Sequence, residues 1–244
     1  MFLFLRLILA HLIADFPLQT DNIYRLKIKG HLGLFLHSLI IFFVSLLFVL
    51  PLLKLPVVWI LLILIMATHY LIDWLKVRYS KQLKLRSVFW GFILDQVLHV
   101  SIYLPCFLVN TDSIDIYITK PGFLANFYNS DPAIIFAIFL IIAVFASFYL
   151  IETLKTSYFP NIISKDQPRY IMYFELFERL IYFISVFMSG YYLIIIPVMI
   201  AVRYLFGYMI IRNEGCRRAF LSWIQTGLNL ALPVISGSIL NFIL

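Results

Sequence analysis

Polar residues are rare in this chain and fall in short clusters, which leave eight apolar runs near 2–18, 32–53, 56–77, 88–109, 133–154, 171–189, 191–211 and 219–243. Runs of about 20 apolar residues match the length an α-helix needs to cross a bilayer. None shows the strict alternation of a β-barrel strand, so the pattern predicts an all-α polytopic membrane protein with seven to eight spans. The last run contains Gln225, Asn229 and Pro233 along with glycines, and reads as a full span, a re-entrant segment or an interfacial helix.

The connections between runs divide by charge. The first holds Arg25, Lys27 and Lys29, and the third Lys76, Arg78, Lys81, Lys84 and Arg86. The fifth holds Lys155, Lys165 and Arg169, and the seventh Arg212, Arg217 and Arg218. The even connections are poor in base, and the long one carries Asp112, Asp115 and Asp131 against Lys120. The positive-inside rule then predicts cytoplasmic odd connections and an outside N-terminus. The expected organisation is a four-helix part over 1–110, an extracytoplasmic loop over 111–132 and a second helical half over 133–244.

Composition agrees: 63% of residues are hydrophobic and only 13% charged, which excludes a soluble domain of this size. The net charge of +7 sits in the connections, so it signals orientation and not a nucleic-acid partner. Arg6 falls inside the first run and no Ala-x-Ala-like site follows, so that run reads as a retained helix shortened or kinked at Pro17 and not as a signal peptide. Cys106 and Cys216 fall near opposite faces, which argues against a disulfide.

Against this background the ionisable residues inside the runs stand out. His69 and Asp73 are the only such residues between Pro56 and Leu75, and their i,i+4 spacing puts them on one helix face. His11 with Asp15 and Asp95 with His99 repeat the spacing, and His37 lies alone in the second run. With the predicted orientation, and about 1.5 Å of rise per residue, most of these groups fall within about 8–15 Å of the cytoplasmic helix ends. His11 to His69, Asp15 to Asp73 and His37 to Asp95 share one offset of 58 positions. That offset predicts a duplicated hairpin, runs 1–2 matching runs 3–4, with the pseudo-two-fold along the membrane normal.

Ionisable groups at membrane depth are costly and mark function by default. Imidazole and carboxylate together suit zinc first, with manganese or iron as alternatives. The candidate ligands are His11, Asp15, His37, His69, Asp73, Asp95 and His99. They suffice for one or two ions, or for one ion with outer carboxylates orienting the histidines. A buried His–Asp network without metal is the plainer alternative, but it carries desolvation costs with no evident return. Gln19, Asp21 and Gln96 are weaker neighbours, and Asp21 is equally readable as the N-cap of a short interfacial helix through Lys29. Lys76 and Arg78 read first as orientation signals and second as a phosphate grip, and His31 reads as an ordinary connection residue. In the second half, Glu178 and Arg203 have matching depths and predict an interhelical ion pair, with a substrate contact by Arg203 as the sharper alternative. Glu152 is expected at the surface.

The same residues carry a resemblance. His11-x3-Asp15-Phe16-Pro17-Leu18-Gln19-Thr20-Asp21, the lone His37, His69-x3-Asp73 with Lys76, and Asp95-Gln96-x2-His99 resemble the bacterial membrane family catalogued as domain of unknown function 3307. Glu178-Arg179-Leu180 and the apolar stretch to Arg203 are similar to the C-terminal part of longer members. The resemblance covers about residues 5–105, and 175–205 more loosely. It implies a bacterial inner-membrane protein, and by analogy it is reminiscent of membrane-bound metal-dependent hydrolases.

Three functions fit these readings. The first is a hydrolase at the cytoplasmic leaflet acting on a lipid, lipid-linked phosphate or membrane peptide, with Asp15 or Asp95 as general base and Lys76 or Arg203 holding an anion. The second is a metal-ion or proton-coupled transporter using the same residues, and the third a non-catalytic sensor or assembly protein with a structural metal.

Overall fold

The computed structural model describes residues 1–80, 87–109, 118, 122–160 and 168–244. Lys81, Lys84, Arg86, Asp112, Asp115, Lys120 and Lys165, all used above to orient the chain, lie outside the described residues. Those described form helices and turns, with no strand among them. The chain divides into two compact units, Met1–Lys84 with Trp90–Ile138, and Leu85–Phe89 with Phe139–Leu244.

The first unit begins with α1 (Phe2–Asp15). Pro17 has no N–H to continue the ladder, and the helix closes with Phe16 N–H donating to the Leu12 carbonyl at 3.1 Å. A short helix, α2 (Asp21–Lys29), follows. Its N-cap is Thr20, whose Oγ1 accepts from Ile23 N–H at 3.5 Å, so Asp21 is the first helical residue and not the cap. Gly30, at φ +156°, turns the chain into α3 (His31–Phe48). Next come α4 (Pro56–Ser80), with proline in the first position where a missing N–H costs nothing, and α5 (Ser87–Ser101), extended by a 3-10 turn over Leu104–Leu108. The short α6 (Phe123–Asn129) leads into α7 (Asp131–Ile141).

Two contacts fix this unit. At Gly33 an added Cβ would sit 1.9 Å from the Leu26 carbonyl oxygen, so the end of α2 lies directly on the first turn of α3. Gly33→Ala is therefore expected to destabilise the protein by about 2–4 kcal/mol, because the obstacle is backbone and cannot rotate away. Thermal unfolding in detergent checks this, and a wild-type midpoint would sink it. The second contact is Arg6, which is fully buried. It pairs with Asp131, donates from Nε to the Tyr128 carbonyl at 3.1 Å and lies 3.5 Å over the Phe2 ring. The charge that interrupts the first apolar run thus docks α1 on the α6–α7 corner.

In the second unit a π-turn (Ile142–Ala146) leads into α8 (Ser147–Tyr158). Then come α9 (Arg169–Met188), α10 (Ile195–Ile210), α11 (Glu214–Phe220) and α12 (Trp223–Ile243). Asn213 and Ser222 cap the last two through their side chains. α12 is one continuous helix of 21 residues that tolerates Pro233, and it packs closely on α9, where an added Cβ at Gly237 would sit 3.1 Å from the Phe183 carbonyl oxygen. Glu152 is half-buried rather than exposed and pairs with buried Lys155.

Six of the described helical segments are long and apolar enough to cross a membrane: α3, α4, α5 with its extension, α7 through α8, α10 with the turn before it, and α12. The two remaining runs of the expected seven to eight differ for physical reasons. α1 has 14 residues before Pro17 ends it, and α9 buries Glu175, Glu178 and Arg179 within its length.

Candidate metal centre

Four helices of the first unit bring their buried His and Asp side chains to one place. α1 supplies His11 and Asp15, α3 His37, α4 His69 and Asp73, and α5 Asp95 and His99, all buried. In α1, α4 and α5 the i,i+4 spacing keeps the two groups on one inward face. His69 is central: its ring centroid lies 4.2 Å from that of His99, 5.2 Å from His37 and 5.6 Å from His11.

Two groups of three place one potential ligand atom each within 4.8 Å of the others: Asp15, His37 and His69, and then His69, Asp73 and His99. They share His69. In the first, His37 Nε2 donates to Asp15 Oδ1 at 3.0 Å, so that pair already satisfies itself. The second is different. His99 Nδ1 lies 2.9 Å from the Asp95 carbonyl oxygen, which only accepts, so Nδ1 carries the proton. A neutral ring would then present a bare Nε2 to Asp73 Oδ1, 3.9 Å away, and neither atom has a hydrogen-bond partner. His69 Nε2 faces the other oxygen, Asp73 Oδ2, at 3.3 Å. Acceptors facing one another in a buried site repel unless a cation lies between them.

Two lysines flank the cluster. Lys27 Nζ reaches from α2 to within 2.7 Å of Asp73 Oδ2, and also donates to Gln19 Oε1 at 3.2 Å. Lys76 Nζ lies 2.6 Å from Asp95 Oδ2, to which Gln96 Nε2 also donates at 3.0 Å.

Of the seven candidate ligands, five therefore form the two overlapping triads. His11 stands against the rings of His69, His99 and Tyr103 with both nitrogens unpartnered, and Asp95 turns to Lys76, Gln96 and His99. His31 lies at the surface, 2.6 Å from Tyr70 Oη. Sequence reasoning missed Lys27 and Tyr103. A lysine in a short basic connection carries no mark of burial, and Tyr103, fully buried with its hydroxyl unpartnered, had only its place one turn after His99 to suggest it. Arg203 lies in the second unit, where it pairs with Glu178 and lies 3.4 Å from Glu175.

No curated protein and no solved structure matches the chain. One family does, over residues 3–125, a stretch that contains all seven buried His and Asp side chains and both lysines. The chain belongs to that family, described as Protein of unknown function (DUF3307).

Proposed function

We propose that the first unit holds one divalent metal ion, zinc before manganese or iron, at His69, Asp73 and His99, and uses it to hydrolyse a membrane-embedded substrate. The observation that supports this reading is the unpartnered His99 Nε2, 3.9 Å from an unpartnered Asp73 oxygen, with His69 in the same triad. Charge supports a single ion. Three carboxylates face two ammonium groups, which leaves one negative charge in a buried site when the histidines are neutral. One divalent ion reverses that to a single positive charge, whereas two would leave a large uncompensated excess.

An ion held there would act as a Lewis acid, polarising a substrate oxygen and activating water. The protein's own groups have distinct parts. Asp15, held by His37 and 4.0 Å from His69 Nε2, is the placed general base. Asp95 acts through its neighbours, since its carbonyl fixes the His99 tautomer while its carboxylate is held by Lys76 and Gln96. Lys76, whose side chain is 42% exposed, is the group available to hold an anion at the rim. Arg203 is fully buried and engaged by its own partners, so it takes no part. The substrate class is a lipid, lipid-linked phosphate or membrane peptide at the cytoplasmic leaflet of a bacterial inner membrane. The 58-residue offset is read as a parallel duplication that supplies His and Asp twice.

Lys27 favours a second reading, metal-ion or proton-coupled transport, because a cationic side chain on Asp73 suits a site that gives up its ion. Metal analysis of the purified protein tests the shared core of both. We expect about one zinc per chain, its loss in His69→Ala and in His99→Ala, and a stability loss of about 2–4 kcal/mol on chelation. Metal-free protein whose stability ignores both chelator and substitutions would end the proposal. With metal present, turnover of a lipid or peptide ester supports the enzyme, and metal flux into proteoliposomes the transporter.

A further inference from the structure

We infer that Lys27 is a tethered cation that competes with the metal ion for Asp73, which makes the centre an exchangeable site rather than a permanent one. The inference rests on the metal reading above, and holds whether the ion serves hydrolysis or transport.

Lys27 is the only buried residue of α2, whose other residues are exposed or half-exposed. Its side chain is 7% exposed and its ammonium lies 2.7 Å from Asp73 Oδ2. That oxygen is also the one 3.3 Å from His69 Nε2, so the ammonium stands beside the position an ion would take between the two. An ion bound to Asp73 at ordinary bond lengths of about 2 Å would lie within about 5 Å of Lys27 Nζ. At that range a divalent and a monovalent cation repel strongly in a buried setting. Metal entry therefore drives the ammonium off, and metal departure is helped by its return.

A second acceptor is at hand for the displaced ammonium, since Gln19 Oε1 already accepts from Lys27 Nζ at 3.2 Å. α2 itself is pinned, because its Leu26 carbonyl lies on Gly33. The exchange is thus a swing of one flexible side chain towards Gln19, with the helix staying in place. In the empty site Lys27 offsets the charge of Asp73, to which its ammonium lies closest.

Zinc titration of the full chain in nanodiscs, with residue-resolved amine labelling, tests this. Lys27→Met is expected to bind zinc about tenfold tighter or more, while Lys27→Arg, which keeps the charge, stays near wild type. In the wild type, zinc saturation is expected to raise acylation of Lys27 several-fold; this readout needs no variant and stands even if Lys27→Met fails to fold. If the wild type binds zinc and Lys27→Met binds it equally or more weakly, the competition is overturned while the metal reading survives. Unchanged Lys27 labelling on zinc saturation overturns it as well. If neither protein binds zinc, the metal reading falls and this inference with it.

Discussion

Asp73→Asn is expected to cost the first unit about 3–5 kcal/mol and to abolish zinc binding, because Asp73 is the counter-charge of a buried ammonium as well as a ligand. Lys27 Nζ, 2.7 Å from Asp73 Oδ2, would keep its charge and lose its partner in a site made of buried side chains. An amide of the same shape accepts a hydrogen bond but offers no charge, and it presents a donor to His69 or His99 where an acceptor stood. The two losses are separable. Adding Lys27→Met to Asp73→Asn removes the stranded charge and should return most of the stability, while zinc stays unbound because the carboxylate is still missing. Midpoints of unfolding in detergent and zinc content read the two effects on the same samples. A double variant no more stable than Asp73→Asn would show that the pair is not the source of the loss, and retained zinc would remove Asp73 from the ligand set.

In the second unit, Arg203→Met is expected to be comparably damaging, again about 3–5 kcal/mol. Arg203 is fully buried, pairs with Glu178, lies 3.4 Å from Glu175, donates to the Phe220 carbonyl at 2.5 Å and rests 3.9 Å over the Phe220 ring. It thereby ties α9 to α10 and to the end of α11. Neighbouring groups cannot replace it. Arg179 is held by Asn229 at 2.5 Å, and its nearest approach to Glu175 is 3.9 Å. Arg203→Lys is expected to recover little, since a single ammonium cannot reach two carboxylates and a carbonyl at once. Glu178→Gln combined with Arg203→Met should recover part, because one stranded carboxylate is removed and Tyr182 can still donate to the amide oxygen, as it does to Glu178 at 2.8 Å. A double-mutant cycle measures the coupling. An Arg203→Met midpoint equal to wild type would mean that the network is not holding the unit together.

How much of this was legible in the sequence depends on whether the signal was local. The helices were, because each apolar run is set by its own residues, and all eight runs are helical in the described residues. So were the inward faces of α1, α4 and α5, since i,i+4 spacing is a property of one helix. Pro17 marked where α1 is interrupted, with a kink and an end both open from sequence; the helix ends there. Partners on other helices were not readable. Nothing near Lys27 says that it points at Asp73, and its companions Arg25 and Lys29, both exposed, share its composition signal but not its role. The tautomer of His99 depends on the carbonyl of Asp95, which carries no side-chain identity at all. The span count blurred where burial and apolarity part company: α9 keeps Glu175, Glu178 and Arg179 inside the unit, so its hydropathy understates how dry that part of it is. The π-turn over Ile142–Ala146 lies in uniformly apolar sequence, with no glycine or proline to announce it.

Arg6 has one more consequence, which concerns the order in which the chain is made. Its charged partner is Asp131, 125 positions later, and its carbonyl partner is on Tyr128. At typical synthesis rates of about 5–20 residues per second, about 6–25 s pass between the two ends of that contact. Throughout this interval α1 carries a guanidinium without its counter-ion, although α3, whose His37 holds Asp15, is made early. The centre's helices thus precede the acid that closes the Arg6 corner.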